Sequence, residues 1–327
     1  MFLSCGDSLF DMFVTTAAQV GDDGSGGSND QQQDTTRISV EGVVGGSPMN
    51  VALGMSRLGH SSRYLTKLSN DLFGKRIAQF LDNNAVDRTL SVPTDLNSTL
   101  AMVETGLDGS AHYVFYTENT ADVALTVAEL PAVIPDAVRV VHFGSYSTAV
   151  EPVAGTLQHL AARESVSRLI SYDPNLRLSI EPDVSVWQAC FKKFAASANL
   201  IKASDEDIES LYGKNREDLF VADCFSSGVQ LVYITRGPDG GSAFSSNGDN
   251  GVAEGLSVKV IDTVGAGDTF QAAILHWLAD NNHVGGGASI EGRVDLKASL
   301  AFATKAAAIT CSRRGADLPV LSDLIPS

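Results

Sequence analysis

Short apolar runs alternate with helix-patterned segments through the chain, and this alternation constrains the fold more than any other feature. The pattern predicts strands at residues 138–143, 169–173, 200–203, 230–235 and 252–260. Strands that alternate with helices form βαβ units, which build a mostly parallel sheet with helices on both faces. We therefore expect an α/β fold with its ligands bound beyond the carboxyl ends of the strands.

Both ends of the chain extend the pattern. Residues 2–6 and 62–67 predict two further strands, and the C-terminal part predicts two long helices at 268–280 and about 295–311. Thr126 to Glu129 offers a capping box for another helix. A chain of 327 residues allows one large domain or two ordinary ones.

A helix with both ends marked lies near residue 50. Ser47 is a candidate N-cap, Pro48 occupies the first helical position and Gly59 ends the helix. Gly45 and Gly46 precede the cap, and glycines allow a ligand to approach the backbone closely. The sequence therefore predicts a ligand contact at the start of this helix.

Two β-rich pieces interrupt the alternation. Residues 99–105 and 111–117 flank an Asp-Gly turn at 107–110, which predicts a hairpin. Residues 37–44 alternate polar and apolar side chains, and we expect them to join the hairpin in a small separate sheet. The Gly-, Asp-, Ser- and Gln-rich residues 21–36 predict a surface loop that contributes no core.

The charge balance excludes some classes of partner. The chain has 327 residues, with 39 acidic against 23 basic side chains and a net charge of −16. A polyanion such as nucleic acid, or an anionic membrane surface, is repelled by such a protein. We expect neither as a partner.

The cysteines and the N-terminus favour a cytoplasmic protein. The four cysteines are far apart and form no paired motif, which is typical of free thiols in a reducing compartment. Asp7 and Asp11 interrupt the apolar N-terminus, and no basic segment precedes it, so we expect no signal peptide.

The sequence Asp262–Phe270, DTVGAGDTF, carries the strongest chemical signal. Small residues leave the amides of Gly265, Ala266 and Gly267 exposed where an apolar helix begins, an arrangement that binds anions. Asp268 is either the N-cap of that helix or a general base beside a phosphate. No Lys-Ser or Lys-Thr pair follows the glycines, so this is not a Walker A loop.

This string resembles the C-terminal signature of the PfkB/ribokinase family of carbohydrate kinases. GDSLFD, GGSPMNVALGMSRLG, SNDLFG, YDPNLR, KASDEDI, TRGPDGG and SRRGADLP resemble further family elements in the expected order. In SNDLFG, Ser69 and Asn70 replace two characteristic residues of the family. The resemblance implies one ribokinase-like domain over residues 1–327, with a lid formed by about 12–44 and 98–118.

The resemblance also assigns roles at the site. It implies that Asp268 is the catalytic base and that Gly265, Ala266 and Gly267 form the anion hole. The residues that it implies for sugar binding are Asp11, Gly46, Asn50, Asn175 and Arg177. Phe115 and Tyr116 either stack on the sugar or form the core of the lid.

The nucleotide and metal positions follow from the same resemblance. It implies ATP contacts for Lys202, Thr235, Gly237 and Gly240. Thr304 stands where an Asn often contacts the adenine. Asp207 replaces a Glu that helps to order Mg²⁺ through water, and the backbone carbonyls of Asp262 and Val264 match a monovalent-cation site that would bind K⁺.

The combination of motifs is most similar to the bacterial fructokinase branch, so the expected activity is the ATP-dependent phosphorylation of D-fructose to fructose 6-phosphate. Alternatives within the class are 2-keto-3-deoxygluconate, another sugar or a nucleoside. A non-catalytic sugar- or nucleotide-binding relative is the alternative from another class. The family lid often contributes to dimer contacts, which implies a homodimer.

Overall fold

The computed structural model describes residues 1–15, 38–105, 111–285 and 287–324. Within these residues, one large sheet of nine strands forms the centre of the molecule. In spatial order the strands are β15 (Asn250–Ala253), β14 (Gly241–Ser245), β13 (Leu231–Thr235), β12 (Leu200–Ser204), β11 (Leu169–Asp173), β10 (Val140–Gly144), β1 (Phe2–Cys5), β4 (Ser62–Leu65) and β6 (Val86–Asp87). Strands β13 through β6 run parallel, and only β14 and β15 are antiparallel. The predicted mostly parallel sheet is confirmed.

Helices cover both faces of this sheet. They are α1 (Ser47–Arg57), α2 (Leu72–Asn83), α3 (Val153–Glu164), α4 (Val184–Ala195), α5 (Asp205–Tyr212), α6 (Glu217–Ser226), α7 (Ala266–Asp280), α8 (Leu296–Cys311) and α9 (Leu321–Leu324). Helices α1, α7 and α8 pack on the face that carries Phe2 and Leu169, whereas α3 and α4 pack on the face that carries Leu3 and Ile170. Because both faces are buried, the central strands are apolar at nearly every position.

A second sheet lies apart from the first. Its strands, in spatial order, are β3 (Ser39–Gly45), β2 (Leu9–Thr15), β8 (Thr99–Thr105) and β9 (Ala111–Tyr116). We call it the small sheet, and it confirms the separate sheet expected from the sequence. The short strands β5 (Lys67–Ser69) and β7 (Val92–Thr94) pair with each other. The predicted loop at 21–36 and the predicted turn at 107–110 both lie outside the described residues.

Two local predictions are wrong. The strand expected at 252–260 ends at Ala253, because the chain then leaves the sheet and packs against the 3₁₀ turn Gly237–Asp239. A Cβ on Gly255 would lie only 1.8 Å from the Pro238 carbonyl oxygen in that turn. Ser47 is not the N-cap of α1. Gly46 takes that position with a φ of 127°, and Ser47 is the first helical residue.

The predicted capping box and the predicted free cysteines are both found in the described residues. The Thr126–Glu129 capping box is present, although it begins only a single 3₁₀ turn. The four cysteines are all free thiols. No helix in the described ranges is long and apolar enough to cross a membrane.

Candidate active site

A cavity of about 470 Å³ opens at the carboxyl ends of the parallel strands, between the main sheet and the small sheet. It brings together most of the predicted catalytic and sugar-binding residues. Those that line it are Asp11, Gly46, Asn50, Asn175, Arg177, Val264, Gly265, Gly267 and Asp268. These residues come from four separate stretches of the chain, which the fold brings together.

Asp268 is the centre of this arrangement. It is the third residue of α7, after Gly265 at the N-cap, so it does not cap its own helix. Its Oδ1 accepts a hydrogen bond from the Ser47 hydroxyl at 2.6 Å, and its Oδ2 accepts one from Asn50 Nδ2 at 2.8 Å. Helix α1 therefore holds the carboxylate in one orientation, and the interpretation of Asp268 as an N-cap is wrong.

The environment of Asp268 sets its protonation. Burial raises the pKa of Asp268, while the hydrogen bonds from Ser47 and Asn50 and the charges of Lys202 and Arg177 oppose that shift. A carboxylate with a raised pKa, whose charged form is still stabilised by hydrogen bonds, is better suited to accept a proton than an exposed carboxylate is.

A chain of hydrogen bonds leads from Arg177 to Asp268. Arg177 Nη1 donates to Asn175 Oδ1 at 2.7 Å, Asn175 Nδ2 donates to Ser47 Oγ at 2.8 Å, and Ser47 donates to Asp268. Every donor points toward the carboxylate, so the chain stabilises its charged form. Ser47 was missed as a site residue because the sequence Ser-Pro resembles an ordinary helix start.

The turn before α7 differs in one detail from the expected anion hole. The Ala266 amide donates to the Thr263 carbonyl at 3.2 Å, which removes it from the set of free donors. In the described part of the chain, the amides of Gly265, Gly267 and Asp268 have no acceptor. These three N–H groups at the positive end of α7 are the ones available to an anion.

The small sheet contributes one wall of the cavity. Asp11 on β2 points into it, and burial raises the pKa of Asp11 to about 6 while Arg177 opposes the shift. Phe115 and Tyr113 on β9 line the same wall and stack with ring centroids 5.9 Å apart. Tyr116 lies on the opposite face of β9 and is 60% exposed, so it does not contact the cavity.

Asp7 is a second residue that the sequence analysis missed. It follows β1, lines the cavity and is buried. Ser145 and Tyr146, which follow β10, line the cavity with it. Because β1 and β10 are neighbours, the strand-end rule applied to residues 5–7 would have found this position.

Lys202 lies beneath the cavity rather than in it. Its ammonium group donates to Asp173 Oδ2 at 2.9 Å, and both side chains are buried. A Cβ on Gly267 would lie 3.1 Å from Lys202 Nζ, so the ammonium sits directly under the turn before α7. The structure does not bring Lys202 to the cavity wall, and its contact with ATP stays a prediction.

The other predicted ATP residues lie farther along the same sheet edge. Thr235 ends β13, Gly237 starts a 3₁₀ turn and Gly240 ends it with a φ of 87°. A Cβ on Gly240 would lie 2.2 Å from the Ala253 carbonyl, so only glycine fits there. The Thr304 hydroxyl on α8 is buried and has no hydrogen-bond partner in the described residues.

The candidate metal residues differ in how well they fit an ion. Asp207 accepts hydrogen bonds from the amides of Leu176 and Ser204, so both carboxylate oxygens already have partners. No cluster of three or more His, Cys, Asp or Glu side chains that could hold a metal occurs in the residues searched. A contact from Asp207 to Mg²⁺ through water stays a prediction.

The backbone near Asp262 fits a monovalent cation better. The Asp262 side chain accepts hydrogen bonds from the amides of Val264 and Gly315 and so fixes this turn. The carbonyl oxygens of Asp262 and Val264 accept no hydrogen bond from any residue that the structure describes. Free carbonyls are suitable ligands for such an ion.

A fixed carboxylate at the entrance of an anion-binding helix, in a polar cavity, defines a phosphoryl-transfer site for a hydroxylated substrate. The model of the pfkB family carbohydrate kinases matches residues 26–323. The chain belongs to the PfkB family of carbohydrate kinases.

Curated relatives are similar over most of their length. Fructokinase-2 of Solanum lycopersicum is 33% identical over 86% of this chain and 85% of its own. A fructokinase of Rhizobium leguminosarum bv. trifolii is 34% identical over 86% of this chain and 81% of its own.

Solved structures share the fold. A fructokinase from Xylella fastidiosa with bound ATP superposes with a TM-score of 0.84, at 22% identity over 99% of this chain and 96% of its own. A fructokinase from Vibrio cholerae O395, described with fructose, ADP and calcium bound, gives a TM-score of 0.76 at 23% identity over 99% of this chain and 95% of its own. The ribokinase-like fold expected from the sequence is therefore confirmed.

Proposed function

We propose that this kinase transfers the γ-phosphoryl group of ATP to D-fructose, which gives fructose 6-phosphate. The observation that carries the proposal is the Asp268 carboxylate, held by Ser47 and Asn50 beside the free amides of the turn before α7. The names of the curated relatives support fructose as the acceptor.

In the proposed reaction, Asp268 takes the proton of the attacking sugar hydroxyl. The oxygen then attacks the γ-phosphorus, and the bond to the β-phosphate oxygen breaks. The amides of Gly265 and Gly267 stabilise the charge that develops on the phosphoryl oxygens. Mg²⁺, when bound with ATP, neutralises part of the phosphate charge, and the carbonyls of Asp262 and Val264 would hold K⁺ beside the turn.

The charges of the cavity support a neutral sugar over a sugar acid. Asp7, Asp11 and Asp268 all line it, against a single cation, Arg177, whose Nη1 already donates to Asn175. A substrate carboxylate would be repelled by three acidic groups, whereas sugar hydroxyls can donate to them. This charge pattern disfavours 2-keto-3-deoxygluconate.

We also propose that the small sheet is the lid of a single domain and excludes water from the transferred phosphoryl group. Its outer face supports a homodimer: Val114 and Tyr116 are 56% and 60% exposed, and Val40 on β3 is also exposed. If the lid forms the dimer contact, Val114→Asp will convert the protein to a monomer in analytical ultracentrifugation. The substitution Val133→Asp, at a 73% exposed position on the main body, is the control that should leave the dimer intact.

The test of the chemistry is an ADP-release assay with fructose, 2-keto-3-deoxygluconate and a nucleoside, with and without K⁺. Asp268→Asn should lower kcat by a factor on the order of 10³ or more while ATP still binds, because the base is lost and the shape is kept. Asp183→Asn, a fully exposed cap of α4, is the matched control and should keep full activity.

Turnover by Asp268→Asn at a rate near that of the wild type would refute the base assignment. Absence of ADP release by the wild type with every acceptor would instead favour the alternative of a protein that only binds sugar or nucleotide.

A further inference from the structure

Asp7 is a buried carboxylate of the cavity that takes no part in the proposed transfer of the phosphoryl group. Its main chain is firmly held: the carbonyl accepts the Tyr64 hydroxyl at 2.5 Å, and Gly46 packs so closely that a Cβ there would lie 2.5 Å from the same oxygen. Its side chain is only 1% exposed. The position of Asp7 is therefore fixed before any ligand binds.

The side chain of Asp7 lacks the partners that a buried carboxylate normally has. Its Oδ2 accepts one long hydrogen bond of 3.4 Å from the Ser147 amide, and its Oδ1 has no partner in the described residues. Burying a polar group without a partner is costly, so such a group usually awaits a ligand or an ordered water.

A neighbouring acid shows that burial alone does not cause this shortage. Asp122 is just as buried, yet its Oδ1 accepts hydrogen bonds from Thr99 and Thr120, and its Oδ2 accepts one from the Tyr146 hydroxyl. Asp122 does not line the cavity, whereas Asp7 does. Of these two carboxylates, the one that lacks a partner is the one next to the space for the sugar.

The electrostatics around Asp7 fit a hydroxyl group. Burial, together with the nearby Asp122 carboxylate, raises the pKa of Asp7 to about 7, and Arg177 opposes the shift. Near neutral pH both protonation states are therefore populated. A sugar hydroxyl pairs with either state, because it can donate and accept a hydrogen bond.

We propose that Asp7 is a sugar-binding residue whose Oδ1 contacts a hydroxyl group other than the one that is phosphorylated. Asp268 on α7 takes the reacting hydroxyl, while Asp7 belongs to the wall made by the ends of β1 and β10. This inference rests on the proposed function, because it needs a sugar in the cavity.

The experiment compares KM and kcat of the wild type and Asp7→Asn with D-fructose and with its 1-deoxy, 3-deoxy and 4-deoxy analogues. The variant should raise KM for fructose roughly ten- to a hundredfold, as expected for a hydrogen bond to a charged group, with KM for ATP within about twofold. The analogue that lacks the hydroxyl group contacted by Asp7 should have a raised KM with the wild type. Its KM should not rise further with Asp7→Asn, because the hydrogen bond is already missing.

Two results would overturn the inference. The first is an unchanged KM for fructose. The second is an equal rise in KM for all four sugars together with a large fall in melting temperature, which would mean that Asp7 acts only in folding. The fructose assignment is judged separately, by turnover of the wild type: if another sugar is preferred, that sugar and its deoxy analogues replace fructose in the same comparison.

Discussion

Replacing Lys202 by methionine should make the stability of the protein depend on pH in a new way. In the wild type, burial raises the pKa of Asp173 to about 6 from an ordinary value of 3.8, and Lys202 opposes the shift. Because the folded pKa lies above the unfolded one, ionisation of Asp173 opposes folding. The contribution of Asp173 to the free energy of unfolding is therefore greatest below about pH 4 and falls as the pH rises to about 6.

Lys202→Met removes the only ion-pair partner that the described residues provide for Asp173. Without the ammonium, the pKa of Asp173 should rise to about 8 or above, in the range known for buried carboxyl groups. The wild type stops losing stability near pH 6, but the variant continues to lose it up to pH 8. Two pKa units correspond to about 2.7 kcal/mol, most of which is realised by pH 8. The loss caused by the substitution should therefore be about 2 kcal/mol larger at pH 8 than at pH 5.

The assay is urea unfolding followed by tryptophan fluorescence, since Trp187 is buried. The free energy of unfolding is measured at pH 5, 6, 7 and 8 for the wild type, Lys202→Met, Asp173→Asn and the double variant. The double variant lacks the titrating group, so its free energy of unfolding should not change with pH through Asp173. The difference in free energy of unfolding between the double variant and the wild type should therefore become smaller between pH 5 and pH 8. A loss in Lys202→Met that is equal at pH 5 and pH 8, or a double variant as pH-sensitive as the single one, would refute this account of the pair.

Two further predictions concern the catalytic carboxylate and the turn beside it. Ser47→Ala or Asn50→Ala removes a hydrogen-bond donor to ionised Asp268 and so raises the pKa of Asp268. Because the base must be ionised to act, the acid limb of the kcat–pH profile should move up by about one pH unit. An acid limb that does not move would contradict the hydrogen-bond network. Gly46→Ala places a Cβ 2.5 Å from a main-chain carbonyl oxygen, so it should raise KM for the sugar and lower the melting temperature. Gly59→Ala is the control, because Gly59 also has a positive φ but a Cβ there would have nothing within 4 Å. It should cost only about 1–2 kcal/mol of stability and leave KM unchanged.

Local patterns predicted the elements well where one signal dominated. The two C-terminal helices were expected at 268–280 and about 295–311 and begin at Ala266 and Leu296. The prediction of a strand at 252–260 failed because alternation alone cannot show that the chain leaves the sheet edge after Ala253, where Gly255 packs on a turn.

The sequence predicted those residues of the site that belong to a recognisable motif, but not the contacts between separate motifs. DTVGAGDTF identified Asp268, but nothing local links it to Ser47, whose hydroxyl meets the carboxylate only after α1 and α7 pack together. The same holds for Lys202: the resemblance implies an ATP contact, but nothing local shows that its ammonium group pairs with the buried Asp173. Residues that act through distant packing partners are therefore the ones that sequence patterns miss.

The two hydrogen bonds that orient Asp268 join segments 221 and 218 positions apart in the chain. During synthesis, α1 leaves the ribosome long before α7, its packing partner. Until then the apolar face of the sheet that α7 and α8 cover stays open to water, and a nascent chain with such a surface is prone to aggregation. A chain that stops before residue 266 would therefore be inactive and a substrate for chaperones and proteases, because the site forms only after α7 has been made and has packed on α1.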